Sequence, residues 1–270
     1  MGFTRFTHTF TAMKFLLKPF QVLYSIYALL VFIALMLVVF VLVFIYLLFG
    51  KITAGNLIYK TCNIWARIWY FLIGIRHGEI YEAPHDKTKQ YIFVSNHWSY
   101  MDIPPIVRTF WQPLRVLGKY EMVRYPVFGI IYRAAVIVVD RRDAEHRAQS
   151  MRALKAAVEK GISIFICPEG TFNMSHKPLK DFYDGAFRTA IETQTNIKPV
   201  LFIDSIDRLH WRSVFSLTPG KNRIVFLDEI KVSTYKNDTE ALKQHVHTIM
   251  EDALKRYRKF YDNKPSVIIQ

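Results

Sequence analysis

Cysteine is nearly absent from this sequence, and its scarcity excludes two kinds of scaffold. The 270 residues include two cysteines, Cys62 and Cys167, which cannot build a disulfide framework. No cluster of cysteine and histidine has the spacing of a metal site, so we expect no structural zinc and no bound metal. Such sparing use of cysteine is typical of a reducing compartment, and we expect the chain to face the cytosol.

Acidic residues are also scarce relative to basic ones. The chain has 22 Asp and Glu against 36 Lys and Arg, which gives a formal net charge of +14. This excess favours an anionic partner, which could be a nucleic acid, a membrane surface or a phosphorylated ligand. Because 51% of the residues are hydrophobic and 15% are aromatic, the chain can bury a large core, and disorder is excluded as its dominant state.

Charge is missing altogether between Lys18 and Lys51. Residues 22–49 are almost all apolar, and about 20 such residues are enough to cross the hydrocarbon layer of a membrane. The run is too long for the apolar part of a signal peptide, which has about 7–15 residues. We therefore predict an N-terminal membrane helix. Three basic residues lie on each side of the run, so the positive-inside rule gives no orientation: Arg5, Lys14 and Lys18 before it, and Lys51, Lys60 and Arg67 after it.

Residues 52–75 have the periodicity of an amphipathic helix. Apolar residues that include Trp65 and Trp69 share one side, and Lys60, Asn63 and Arg67 lie on another. This pattern predicts a helix at the lipid headgroup boundary. The two helices could enter and leave the same leaflet, which would explain the equal flanking charges; a single span followed by an interfacial helix is the alternative. We expect residues 1–75 to anchor the chain in a membrane.

Residues 76–270 are predicted to form one catalytic domain of the α/β class. Short runs rich in Val, Ile and Phe alternate with helical segments, as in a largely parallel or mixed sheet flanked by helices. The predicted strands cover residues 91–94, 134–139, 162–167, 199–203 and 223–227, and the predicted helices cover residues 142–160, 184–193 and 239–261.

Polar side chains follow three of these strands, where ligands usually bind in α/β sheets. His97 and Asp102 follow the first strand, and they can meet only if the chain turns irregularly, since five residues along an ideal helix leave side chains about 140° apart. If they meet, the carboxylate holds one ring nitrogen while the other can take a proton from a substrate hydroxyl. Alternatively, Asp102 caps the helix that begins near Pro104.

The remaining polar residues at these strand ends also have two interpretations. Lys119 and Arg141 are either part of a solvated face or the anchor of an anionic headgroup, for which arginine offers bidentate contacts. The segment Glu169-Gly170-Thr171 is either a simple turn or part of the ligand site.

Four sequence blocks in order resemble the phospholipid and glycerol acyltransferases, and specifically the 1-acyl-glycerol-3-phosphate acyltransferases. They are Asn-His-x4-Asp at 96–102, Gly-Lys at 118–119 with an apolar strand that ends at Arg141, Pro-Glu-Gly-Thr at 168–171, and an apolar strand with proline at 198–201. The resemblance covers roughly residues 91–203. It implies a glycerolipid acyltransferase-like mixed sheet flanked by helices, preceded by the hydrophobic membrane helix and the interfacial helix.

The resemblance also implies roles for single residues. His97 would be the general base and Asp102 its orienting partner. The substrate would contact the other residues of the blocks, with the two cations near its phosphate: Asn96, Lys119, Arg141, Glu169, Gly170 and Thr171. Phe172 departs from the family, which usually has arginine there, so either another cation holds the phosphate or the acceptor has none.

The predicted activity is acyl transfer from acyl-CoA or acyl-acyl carrier protein to the free hydroxyl of 1-acyl-glycerol-3-phosphate. The product would be phosphatidic acid, and no cofactor is needed besides this co-substrate. We expect partners to be the bilayer, the lysophospholipid and the acyl carrier, at the cytosolic side of the inner membrane. The alternatives are acylation of a phosphate-free lysolipid such as a lyso-aminolipid, and a non-catalytic basic membrane-binding module. No signature of a nucleic-acid-binding motif is present.

Overall fold

The computed structural model describes residues 3–140, 143–175 and 177–258. The helices are α1 (Phe3–Leu47), α2 (Lys51–Leu72), α3 (Ile103–Thr109), α4 (Phe128–Ala135), α5 (Ala144–Val158), α6 (Gly185–Thr193), α7 (Ser205–Arg208) and α8 (Thr239–Tyr257). The strands are β1 (Ile75–Tyr81), β2 (Ile92–Ser95), β3 (Leu114–Lys119), β4 (Val136–Val139), β5 (Ser163–Ile166), β6 (Ile197–Phe202) and β7 (Gly220–Phe226). Short 3₁₀ turns cover Tyr100–Asp102, Tyr120–Arg124, Val214–Ser216 and Val232–Tyr235.

The strands form one seven-stranded mixed sheet in the order β1-β7-β6-β2-β5-β3-β4. Strands β6, β2, β5, β3 and β4 run parallel, whereas β7 runs antiparallel to β6 and pairs in parallel with β1. The predicted α/β class with a mixed sheet is therefore confirmed. The sequence patterns missed β1 and β3, which carry charged residues or glycine within short runs, and α4 occupies the first two positions of the strand predicted at 134–139.

Both faces of the sheet are covered, which explains why its central strands are apolar without interruption. Alternate residues of β2 point to opposite layers. Ile92 and Val94 belong to the core under α5, α6 and α8, whereas Phe93 packs in a second cluster with Tyr59 of α2 and with Phe110, which directly follows α3. The sheet is thus a rigid support with fixed strand ends.

Helices α1 and α2 form an antiparallel hairpin against the domain. Tyr24 in the middle of α1 donates a hydrogen bond to the carbonyl of Ile73, and the Trp69 indole donates one to the carbonyl of Ala28 at 2.9 Å. Within α1, Leu17–Leu47 is long and apolar enough to cross a membrane by length and composition.

The prediction that the tryptophan side of α2 contacts lipid headgroups is wrong in part. Trp65 and Trp69 are buried, with ring centroids 5.1 and 5.5 Å from that of Phe32 in α1. Asn63, placed on the polar side from sequence, is buried and donates to the carbonyls of Val107 and Arg108. Periodicity reveals an apolar stripe, but it does not tell whether lipid or another helix covers that stripe.

Candidate active site

The topology brings the predicted strand ends to one edge of the sheet. Because β2, β5, β3 and β4 are parallel, their carboxyl ends all point the same way. Strands β2 and β5 are neighbours, so His97 and Glu169 come together. Lys119 is the last residue of β3, which lies two strand spacings, or about 10 Å, from β2. The order of the strands therefore shows which candidate residues lie near His97 and which lie farther away. No pattern in the sequence could show this.

His97 and Asp102 form the hydrogen-bonded pair that the spacing left open. The Nδ1 atom of His97 lies 2.8 Å from Oδ2 of Asp102, whose side chain is 1% exposed. The same Oδ2 accepts hydrogen bonds from the backbone N–H groups of Trp98 and Ser99 at 2.8 and 2.9 Å. These two bonds pull the chain into the tight turn that lets the pair meet.

The alternative role of Asp102 as a cap of α3 is not observed. Asp102 precedes α3 but makes no side-chain hydrogen bond to the N–H groups of that helix, which has Pro104 and Pro105 in its first turn. Its carboxylate instead faces backwards along the chain. A carboxylate accepts only, so the bond to Nδ1 requires a proton on Nδ1 and leaves Nε2 as the basic nitrogen. The His97 side chain is 23% exposed and can reach a substrate.

Glu169 holds two loops together from inside the site. It is 1% exposed, and its two oxygens accept the backbone N–H of His97 at 2.8 Å and of Lys180 at 3.0 Å. Burial raises the pKa of Glu169 to about 8, against the opposing effect of these two N–H donors and the Lys180 charge. Because the carboxyl group is enclosed, its direct effect is on the position of His97 rather than on the open face where an acceptor would lie.

Asn96 is likewise enclosed. Its amide nitrogen donates to the carbonyl of Phe202 at 3.0 Å, and its amide oxygen accepts the N–H of Phe202 at 2.8 Å. These paired bonds fasten the end of β2 to the end of β6 immediately before the catalytic turn. In the structure, the Asn96 side chain therefore positions the end of β2, whereas the resemblance implied that it contacts the substrate.

The loop after β5 wraps around the His97 ring. Gly170 has φ +76°, a left-handed conformation that suits glycine, and its N–H bonds to the carbonyl of Cys167. Phe172 places its ring edge-to-face on His97, with centroids 4.5 Å apart, and Asn173 N–H donates to the His97 carbonyl at 2.7 Å. Phe172 thus forms an apolar wall beside the imidazole.

A cation that the sequence analysis missed lies in the same loop. The ammonium group of Lys180 donates to Oγ1 of Thr171 at 2.7 Å, beside the enclosed carboxylate of Glu169. Lys180 and Thr171 are nine residues apart, and no local spacing rule predicts their contact. Only the tertiary structure brings the two side chains together.

Of the two cations predicted from the sequence, the structure describes Lys119 but not Arg141. Lys119 lies at the correct edge of the sheet, is 55% exposed, and pairs with Glu121 at 3.4 Å. Arg141 lies outside the described residues, so its place near the substrate stays a prediction.

Comparison with known proteins agrees with this fold. Residues 77–203 match the family model described as Acyltransferase, a stretch that contains the His97–Asp102 pair and the loop after β5. The chain also superposes on a 1-acyl-sn-glycerophosphate (LPA) acyltransferase from Thermotoga maritima with a TM-score of 0.63, covering 89% of this chain and 100% of that one at 19% identity. The family match covers a little under half of the chain, and the likeness to the Thermotoga protein is one of fold.

Several similar proteins carry a more specific name. A 1-acyl-sn-glycerol-3-phosphate acyltransferase of Haemophilus influenzae is 28% identical over 194 residues, which are 69% of this chain and 78% of that protein. The enzyme of the same name from Limnanthes alba is 30% identical over 177 residues, 63% of this chain and 59% of its own length. The matched stretch therefore spans between about three fifths and four fifths of these relatives.

Proposed function

We propose that this protein moves a fatty acyl chain from a thioester to the free hydroxyl of 1-acyl-glycerol-3-phosphate, giving phosphatidic acid. The observation that carries the proposal is the buried Asp102 carboxylate bonded to Nδ1 of His97, which leaves Nε2 free to act as a general base. The names of the similar proteins support the choice of acceptor.

The chemistry needs only these two side chains and the two substrates. Nε2 of His97 takes the proton of the acceptor hydroxyl as its oxygen attacks the thioester carbonyl, and the Asp102 carboxylate stabilises the imidazolium that forms. When the tetrahedral intermediate collapses, the carbon–sulfur bond breaks and the imidazolium returns the proton to the thiolate. The products are one ester and one free thiol, and no acyl-enzyme forms.

Recognition of the acceptor phosphate is assigned first to Lys180. Its ammonium group already bonds to the Thr171 hydroxyl in the loop that wraps His97, so an anion placed there would gain a charge-assisted contact. Lys119 and Arg141 are the more distant candidates at the same edge. Phe172 cannot hold an anion, and its ring beside the imidazole suits the glycerol or acyl part of a substrate.

The net charge of the chain and the apolar helix α1 indicate where the reaction takes place. Both acyl-CoA and acyl-acyl carrier protein are anionic, and a net charge of +14 favours their approach. The apolar helix α1 would hold the chain at the inner membrane, where the lysolipid resides, with the active site on the cytosolic side.

One observation favours a second acceptor. Phe172 stands where the family usually has arginine, and a phosphate-free lysolipid such as a lyso-aminolipid would have no need of that cation. This acceptor would use the same pair of catalytic residues, so activity on a panel of acceptors separates the two proposals.

The test uses the full chain purified in detergent, with lysophosphatidic acid and a phosphate-free lysolipid as acceptors and acyl-CoA or acyl-acyl carrier protein as donor. His97→Ala should lower turnover by about 10²–10⁴-fold, and Asp102→Asn should also lose most activity because the proton on Nδ1 is no longer held. A matched control exists on α5, where His146 pairs with Asp143 at 3.1 Å but is exposed. His146→Ala should keep full activity.

Three results would count against the proposal. Wild-type turnover in His97→Ala would remove the general base and favour a non-catalytic membrane-binding module. Acylation of the phosphate-free lysolipid alone would favour the second acceptor. Equal loss of activity in His146→Ala and His97→Ala would mean that the assay reports folding rather than catalysis.

A further inference from the structure

Residues 209–216, here called the bridge loop, are hydrogen-bonded both to α1 and to the catalytic turn, which comprises residues 97–102. At one end, the carbonyl of Leu209 accepts a hydrogen bond from the hydroxyl of Ser99 at 2.5 Å, within the turn that holds Asp102. At the other end, Gln21 of α1 donates to the carbonyl of Ser216 at 3.0 Å. The loop thus lies between the active site and the first turns of the apolar run.

The attachment to α1 is continued in the core. The buried hydroxyl of Ser25 accepts the N–H of Leu217 at 3.1 Å, directly after the bridge loop. Leu217 is itself buried in the cluster that contains Ala28 and Trp69. The position of the loop relative to α1 is therefore fixed by packing as well as by hydrogen bonds.

The outer side of the bridge loop is apolar and carries one cation. Val214 is 58% exposed and Phe215 is 46% exposed, while the Arg212 guanidinium lies 4.9 Å from the ring centroid of Trp211. Apolar side chains next to an aromatic and arginine pair are typical of the lipid headgroup boundary. On α1, Leu17 lies one turn before Gln21 on the same side of the helix and is 55% exposed, so exposed apolar side chains occur on the helix as well as on the loop.

We propose that the bridge loop is a second membrane contact, which inserts Val214 and Phe215 into the boundary between headgroups and acyl chains when α1 is in the bilayer. The occupant is a phospholipid bilayer, because the loop is hydrogen-bonded near the start of Leu17–Leu47, the one helical segment in the described residues that is apolar enough to cross a membrane. The proposal deepens the proposed function, since the contact sets the height of the catalytic turn above the lipid that supplies the acceptor.

The direct test places a tryptophan in the loop and measures its quenching by lipid. The full chain carrying Phe215→Trp is reconstituted into phosphatidylcholine vesicles with and without brominated acyl chains, and the wild-type fluorescence is subtracted. The added tryptophan should be quenched, as should one introduced by Leu30→Trp on α1, where the native side chain is 62% exposed. Ala153→Trp on the exposed side of α5 is the matched negative control and should show no quenching.

This readout needs no turnover, so it stays informative even if the proposed activity is wrong. Absence of quenching at position 215 would overturn the proposal, whatever position 30 shows. If position 215 is unquenched and the protein self-associates in detergent as its concentration rises, a second copy of the chain covers the loop instead.

A second measurement links the contact to the reaction. In the double variant Val214→Asp and Phe215→Asp, turnover of lysophosphatidic acid embedded in phosphatidylcholine vesicles should fall several-fold, because charged side chains resist entry into the boundary. Turnover of a short-chain, water-soluble acceptor in detergent should stay at the wild-type level. The control with the same added charge is Ala153→Asp with Ala156→Asp on α5. Equal losses on both acceptors would contradict a membrane role.

Discussion

Burial and hydrogen bonding shift the pKa of the Glu169 carboxyl group in opposite directions. Burial has the larger effect and raises its pKa to about 8, whereas the side chain in an unfolded chain has a pKa near 4.3. Between these values the folded protein binds one proton more than the unfolded chain. The free energy of unfolding should therefore decrease as pH rises from about 5 to 8, with a slope of about 1.4 kcal/mol per pH unit from this group.

Replacing the carboxyl by an amide should remove this pH dependence. In Glu169→Gln, the Tm measured in detergent should change less between pH 5 and pH 8 than the wild-type Tm. Glu145→Gln is the matched control, because the Glu145 side chain is 76% exposed on α5, and it should leave the wild-type pH dependence intact. An unchanged pH dependence in Glu169→Gln would mean that the carboxyl keeps its charge when buried.

Lys180 should contribute more to the affinity for the acceptor than Lys119, the predicted cation at the end of β3. We expect Lys180→Ala to raise the KM for lysophosphatidic acid by roughly ten- to a hundred-fold, since a charge-assisted contact contributes about 1.5–3 kcal/mol. The KM for the acyl donor should change less. Lys119→Ala should have a smaller effect, because Lys119 is exposed, pairs with Glu121, and lies farther from His97.

Lys177→Ala, at an exposed position of the same loop, is the control for a general loss of positive charge. Equal KM values for lysophosphatidic acid in wild type and Lys180→Ala would assign phosphate recognition to Lys119 or Arg141. A raised KM in all three lysine variants would indicate nonspecific attraction instead.

At the scale of elements, the packing of α4 against β3 depends on a missing side chain. A Cβ atom added at Gly118 would overlap the Tyr132 hydroxyl of α4 and lie 2.6 Å from Cγ1 of Val136. We expect Gly118→Ala to destabilise the protein by about 1–3 kcal/mol, as overpacking of a filled interior does. Gly185→Ala should have little effect, because its added Cβ would meet only the Met151 sulfur at 3.5 Å.

Thermal unfolding of both glycine variants in detergent measures this difference. A Tm of Gly118→Ala equal to that of Gly185→Ala would show that α4 moves freely on the sheet. The glycine of the Gly-Lys block would then have a role other than packing.

At the scale of the whole molecule, the α1–α2 hairpin is built into the core. The ring of Phe32 meets Trp65 and Trp69 edge-to-face, and each such aromatic pair contributes about 0.5–1.5 kcal/mol beyond area burial. We therefore expect Phe32→Ala to lower the Tm in detergent by several degrees. Leu30→Ala, at a position that is 62% exposed on the same helix, should leave it unchanged.

Equal Tm values for wild type and Phe32→Ala would mean that the hairpin separates from the domain before the domain unfolds. The predicted division at residue 75 would then describe two independent units. The observed packing favours the opposite, since Trp65 and Trp69 share one buried cluster with Met101, Ile131 and Leu217 of the catalytic domain.

Much of the site could be predicted because its signals are local. His97, Asp102 and Glu169 lie directly after apolar strand segments, and parallel strands place such positions at one edge. Lys180 could not be predicted, because a loop of this length can close in many ways and only packing selects the one that brings the Lys180 ammonium group to Thr171. Likewise, nothing local shows that both polar groups of Asn96 are taken by Phe202, which is more than a hundred residues away.

The sequence by itself determined the elements that short-range physics controls. The uncharged run makes an apolar helix, the Val- and Ile-rich segments make strands, and the backbone N–H groups around Asp102 make the turn that pairs it with His97. The tertiary structure alone decided the order of the strands and the partner of the apolar face of α2. Both depend on contacts between residues far apart in the chain, whose free energies do not appear in any local pattern of residues.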